Sequence, residues 1–301
     1  MAAQLIKKLN SEIVVVLGMH RSGTSLCSHI LQDLGIYMAD EATPAPDNEE
    51  GHWERWELVS LHDRLLHHFD RSYFGVGSYS PKHDLPLPDG WLTDSVTDKI
   101  FNEMCEFITS KIGGDRLLGF KDPRTCRLLP LWWRVFSELN LKPKFIICVR
   151  NPVDVSRSLY QRDKIPEKVG HYRWLLYNCG IFNYIRGEYC VVDYASWFSA
   201  PDETISRIQQ FLFPRSPFNR IRQFLFAKPS SKLNRKTVDL IKPKLNHGYN
   251  PLNDTRNNLT FGFYEQIRKL ETRATDKQEI ERFAASFHDF QHVVPWSGFM
   301  N

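Results

Sequence analysis

Apolar positions along the chain fall into two kinds of run. Four are short and do not alternate: Ile13–Leu17, Leu117–Phe120, Lys144–Arg150 after its first lysine, and Gly187–Tyr194 around Cys190-Val191-Val192. A strand covered on both faces needs no polar stripe, so such runs predict buried strands of a parallel sheet. Between them apolar residues recur at helical spacing. Leu26, Ile30, Leu31 and Leu34 place a helix over residues 24–34, closed by Gly35 as a C-cap signal. Leu58, Leu61, Leu65 and Phe69 place another over 54–69, and further helices are read over 93–112, 128–139, from Val153 onward, 206–213 and 263–288. Strands alternating with helices predict an α/β fold in three layers, a central and mainly parallel sheet flanked by helices, with ligands bound beyond the strand C-termini. Residues 39–57, broken by two prolines, and 71–91, rich in Gly, Pro and Ser, read as long loops, and 232–244 as loop plus helix.

Composition changes this picture little. The 301 residues are 42% apolar, enough for a sizeable core, and the whole length is read as one domain. Six cysteines show no paired short spacing and read as reduced core residues. No apolar run reaches the ~18 residues of a membrane span, and the N-terminus has no long apolar core, so a soluble cytoplasmic protein is expected. A formal charge of +4 is too small to argue for nucleic acid. Its distribution is uneven: residues 33–63 hold nine acidic residues against one Arg, and 219–246 eight basic against one Asp. That pattern fits a polarised cleft or two solvated faces equally well.

The candidate chemistry begins at Gly18-Met19-His20-Arg21-Ser22-Gly23-Thr24-Ser25, between the first strand and the first helix. Backbone amides converging at a helix N-terminus favour an anion, and the spacing of Gly18 and Gly23 is that of a P-loop, giving a P-loop-like fold. A nucleotide triphosphatase carries a lysine after the second glycine. Here Thr24 stands there and the cation is Arg21 inside the loop. A Gly-rich turn that binds nothing and a P-loop kinase are the competing readings.

The loop Arg21-Ser22-Gly23-Thr24-Ser25 resembles the 5′-phosphosulfate loop of sulfotransferases that use 3′-phosphoadenosine 5′-phosphosulfate (PAPS). Cys148-Val149-Arg150-Asn151-Pro152, with Ser158 eight positions after Arg150, resembles their 3′-phosphate grip. Gly119–Arg124 is similar to a segment of bacterial and Golgi-type carbohydrate sulfotransferases, and Asn48–Glu54 to a loop of bacterial members; the resemblance covers about residues 12–195. It implies sulfuryl transfer from PAPS to a hydroxyl of a carbohydrate, cell-envelope or metabolite acceptor, with release of 3′-phosphoadenosine 5′-phosphate (PAP) and no metal, protein cations standing where a kinase uses magnesium. Arg21, Ser22, Gly23, Thr24 and Ser25 would hold the 5′-phosphate, Arg150 and Ser158 the 3′-phosphate, and Lys121 the sulfonate or bridging oxygens. Glu54 is the first candidate for the general base and His52 the second. Asp122 and Arg124 read as a structural ion pair or as acceptor-orienting groups. Trp53, Trp56, Tyr172 and Trp174 read either as a stacking wall or as core-edge aromatics. A nucleotide-binding module without catalysis is the non-enzyme alternative.

Overall fold

The computed structural model describes residues 12–39, 51–72, 84–112, 117–214, 237–238, 240–242, 258–271 and 277–293. Four strands form the sheet: β1 Glu12–Leu17, β2 Gly119–Lys121, β3 Lys142–Val149 and β4 Tyr189–Asp193. Their order is β2-β1-β3-β4 and every pairing is parallel, with Val16 opposite Lys121, Leu17 opposite Ile147, and Val149 opposite Asp193. The C-terminal ends therefore form one edge. From β1 the chain passes to β2 on one side and then crosses back to β3 on the other, so a crevice is expected outside the ends of β1 and β3.

Both faces are covered, as the unbroken apolar runs predict. Ile13, Val15, Leu17, Phe145, Ile147 and Val149 point to one side, and Val14, Val16, Ile146, Cys148 and Val192 to the other. The second face packs against α1 (Thr24–Asp33), α7 (Ser196–Ser199) and α8 (Pro201–Leu212). The larger first face carries α2 (Trp56–His68), α3 (Ser95–Lys111), α4 (Thr125–Glu138), α5 (Pro152–Asp163), α6 (Glu167–Tyr184), α9 (Asn258–Lys269) and α10 (Lys277–Val293). Among the described residues no helix is long and apolar enough to cross a membrane.

Local chemistry sets the element ends. Asn151 accepts the Val153 N–H at 2.9 Å and Pro152 occupies the first turn of α5, which is why the chain turns into a helix directly after β3. Asp94 caps α3 in the same way through Val96 N–H at 2.8 Å, so that helix starts at Ser95, after a short 3₁₀ turn over Trp91–Thr93. Gly35, at φ +95°, follows α1 as expected.

Two differences from the sequence expectations have physical causes. The 18-residue α6 was not anticipated, because burial on nearly all sides leaves no polar stripe to reveal the helical period. The single helix expected over 263–288 is instead α9 and α10. Most of the 232–244 stretch, and residues 40–50 and 73–83 of the two long loops, lie outside the described residues.

α6 packs closely on both neighbours through glycine. A Cβ at Gly170 would lie 2.6 Å from Ser156 Oγ on α5, and one at Gly180 would lie 2.9 Å from the Cys126 carbonyl oxygen on α4. Pro130 stands four residues after Cys126 and has no N–H to donate to that carbonyl. The oxygen is left facing Gly180.

Candidate functional site

The loop after β1 is built by close approach. Gly18 has φ +146°, and a Cβ there would meet the Cys148 carbonyl oxygen at 2.5 Å and Thr24 Cγ2 at 2.9 Å. Only hydrogen fits. Its N–H donates to Cys126 Sγ across 3.3 Å, and burial pushes that thiol up to about 12, so the sulfur stays protonated and neutral. Arg21 takes the left-handed region at φ 68°. Gly23, at φ +84°, is the N-cap of α1, and the Tyr194 ring occupies the space where a side chain would begin. No side chain caps α1, so the amides of its first turn remain available to an anion. Ser22 Oγ is buried and makes no hydrogen bond.

Arg150 lies at the end of β3 against this loop. Its Nη1 donates to the Arg21 carbonyl at 3.2 Å, its guanidinium lies 4.3 Å from the Tyr194 ring centroid, and Asp154 is 4.0 Å from its Nε. That Nε is buried and has no hydrogen-bond acceptor. Trp174 fixes the backbone, its indole N–H donating to the Arg150 carbonyl at 2.9 Å. Ser158, on the following helix, accepts from Arg21 Nε at 2.7 Å. The structure thus brings Arg21, Ser22, Gly23, Arg150 and Ser158 together in one corner. Thr24 and Ser25 start α1, and Ser25 Oγ donates to the His52 carbonyl at 3.3 Å.

A buried donor without a partner costs about 1–3 kcal/mol. Arg150 Nε and Ser22 Oγ both carry that cost beside an uncapped helix N-terminus, the condition an oxyanion relieves. His20 adds no positive charge of its own. Burial, and then the charges of Arg162, Arg173, Arg21 and Arg124, push its imidazole well below the ordinary 6.5, and its ring meets Tyr177 edge-on at 5.6 Å.

A second corner adjoins the first through the β1–β2 pairing. Lys121 ends β2 and its Nζ donates to Glu54 Oε1 at 2.5 Å, both side chains being more than nine-tenths buried. Arg124 Nη1 is 3.9 Å from the other Glu54 oxygen and 2.9 Å from Asp122 Oδ1, while its Nε donates to Asp63 at 2.6 Å. The Asp122–Arg124 pair is therefore present as an ion pair. Burial works to raise the Asp122 carboxyl; the Arg124 charge, the His62 contact and the Arg124 N–H overcome it and hold it well below 3.8.

The loop that carries Glu54 is clamped to the sheet edge. Arg55 donates to the carbonyls of Tyr37 at 2.8 Å and Gly119 at 3.3 Å, and Trp53, at φ 56°, stacks on His29 with ring centroids 4.5 Å apart. His52 meets the loop through its backbone, and its ring stands edge-on to Trp56. The four aromatics do not form one wall. Trp56 is half exposed, whereas Trp174 is fully buried against Phe263 and Tyr264, and Tyr172 packs on Phe287. Tyr172 and Trp174 are core residues.

Sequence reading missed Tyr194, Cys126 and His62, and it named Trp174 only as a wall or core-edge aromatic, not as the donor to the Arg150 carbonyl. Tyr194 follows β4 directly, and its position at the shared strand edge was the available signal. Cys126 and Trp174 act on backbone atoms of the site and leave no spacing signature. His62 lies on the buried face of α2, a position that reads as core. A cavity of about 360 Å³, bounded by residues 86–92, Arg127 and parts of α6 and α10, lies apart from both corners; neither the 18–25 loop nor Lys121 nor Glu54 lines it.

No family model matches the chain, and no curated protein does. Among solved structures, the sulfotransferase domain of the Synechococcus PCC 7002 olefin synthase is similar over 92% of this chain and 94% of that domain, at 16% identity and a TM-score of 0.42.

Proposed function

We propose that the protein is a sulfotransferase that moves the sulfuryl group of PAPS to a hydroxyl of an acceptor, with a carbohydrate as the favoured class, and releases PAP. One observation carries the reading: Arg21 is joined by hydrogen bonds to both Arg150 and Ser158, so the two sequence segments that resemble opposite phosphate grips occupy one corner. The residues present fit a doubly phosphorylated nucleotide, since Arg150 Nε and Ser22 Oγ are buried donors awaiting acceptors there. When bound, PAPS supplies an activated sulfuryl group on a phosphate leaving group.

The roles then divide along the sheet edge. Arg21, the first-turn amides of α1 and the Thr24 and Ser25 hydroxyls hold the 5′-phosphate and take up charge as it develops. Arg150 and Ser158 hold the 3′-phosphate. Lys121 balances charge on the transferring group, and Glu54 takes the proton of the acceptor hydroxyl. Lys121 and Glu54 neutralise one another across their direct contact. Lys121 must turn toward the donor for Glu54 to serve as base, and this couples the readiness of the base to donor binding. His52, held by its carbonyl over the loop, is the second candidate for the base. As in phosphoryl transfer, positioning and electrostatics provide most of the acceleration.

Calorimetric titration with PAP and with ATP, followed by ³⁵S transfer from PAPS to a pool of hydroxyl compounds, tests the reading. Binding of PAP in preference to ATP with label transfer is expected. PAP binding without transfer points to the nucleotide-binding module, and magnesium-dependent preference for ATP to a kinase.

A further inference from the structure

We propose that His62 is a positioning residue for the transfer step: its Nδ1–H fixes Asp122, and through Asp122 the 121–124 turn that seats Glu54. The inference rests on the sulfuryl-transfer reading and goes beyond it to a residue that touches neither nucleotide nor acceptor.

His62 is fully buried on α2 among Leu58, Leu61, Leu65 and Leu66. The Trp132 indole N–H donates to its Nε2 at 3.1 Å. An indole nitrogen only donates, so Nε2 accepts and the ring proton sits on Nδ1. Nδ1–H therefore donates to Asp122 Oδ2 at 2.7 Å. The other Asp122 oxygen accepts the Arg124 N–H at 3.0 Å and its Nη1 at 2.9 Å. The Asp122 carbonyl accepts the Thr125 N–H at 3.0 Å, completing the turn between Lys121 and α4. Next to His62, Asp63 takes Arg124 Nε.

These contacts close a ring. Glu54 stands just before α2; His62 and Asp63 pin that helix to the 121–124 turn; and Lys121, from the same turn, holds Glu54. Apolar residues of similar volume would pack this interior with no desolvation cost, so a fully satisfied polar chain gains more in fixed geometry than in stability. The geometry it fixes is that of the candidate base, where a misplacement of about 1 Å costs up to about 10²-fold in rate.

Three His62 variants separate positioning from stability. His62→Asn puts an N–H near the place of Nδ1 and keeps the Asp122 bond while losing that to Trp132. His62→Gln reaches the Trp132 indole and loses Asp122. His62→Ala loses both. The readouts are kcat for PAP release from PAPS with a mixed hydroxyl-acceptor pool, Kd for PAP, and Tm. We expect Kd to hold in all three, kcat to hold for His62→Asn, and kcat to fall about tenfold or more for Gln and Ala. Trp132→Phe, which spares the Asp122 bond, is expected to lower Tm and keep kcat. A kcat order that follows Tm, or a His62→Gln variant with unchanged kcat, overturns the proposal. A wild-type protein that binds no PAP and releases none from PAPS overturns the sulfuryl-transfer reading itself, a result distinct from any ranking of the variants.

Discussion

Arg21 Nε donates to Ser158 Oγ across 2.7 Å, although 137 residues of chain separate them. Both ends meet at the strand edge because β1 and β3 are neighbours in parallel register. A charged hydrogen bond contributes about 1.5–3 kcal/mol, so Arg21→Ala and Arg150→Ala should each weaken PAP binding by roughly ten- to a hundredfold, and Ser158→Ala by less. Calorimetry reads the affinities directly. Unchanged affinity in Arg150→Ala would remove the 3′-phosphate grip.

Glu54→Gln keeps the shape of the side chain and removes the charge that occupies Lys121. Turnover should fall by about 10²- to 10⁴-fold, the usual loss when a general base is removed. PAP affinity should hold or rise, because Lys121 no longer leaves a counter-ion on binding. If turnover persists, the base lies elsewhere, and His52→Ala is the next variant to measure.

Gly23→Ala meets two obstacles, a positive φ and the Tyr194 ring. The left-handed conformation alone costs an L-residue about 1–2 kcal/mol. The variant should melt at lower temperature and lose PAP affinity. In a Tyr194→Ala background the space is open and only the φ penalty remains, so Gly23→Ala should lower the melting temperature by less there than in wild type.

Asp193 ends β4, and Tyr264 of α9 donates its hydroxyl to both carboxylate oxygens, at 3.2 and 3.0 Å. Burial raises this carboxyl from 3.8 to about 6 despite those hydrogen bonds. The folded state thus holds a proton that the unfolded chain releases near pH 4. Stability from this group is present below that pH and declines as pH rises from about 4 to about 6, the direction set by the larger number of protons bound in the folded state. Urea midpoints for wild type and Asp193→Asn across that range should show the decline in the first and its loss in the second. Parallel curves would exclude Asp193 as the source.

The fold was legible where one strand or helix carries its own signal. Ile13–Val16 reads as a buried strand because nothing polar interrupts it, and Leu58, Leu61 and Leu65 reveal α2 because its other face is wet. α6 hid for the opposite reason, since Trp174, Tyr177 and Phe182 are buried on different sides of it. Glycine spacing pointed to the loop that holds Arg21, whereas Arg150 and Ser158 were indicated only by the resemblance of their segment to a known phosphate grip. The links that create the site, Trp174 to the Arg150 carbonyl and His62 to Asp122, join residues whose proximity only the tertiary fold determines.

The close approach of Gly180 to the carbonyl released by Pro130 bears on more than the packing of two helices. Trp174, which steadies the Arg150 backbone, lies on the same rigid rod, less than two helical turns away. A side chain at Gly180 leaves no room for both helices as they stand, and a shift of α6 carries the indole that holds the Arg150 carbonyl. A methyl group added at this seam would thus be felt at the Arg150 backbone, well away from where it was placed.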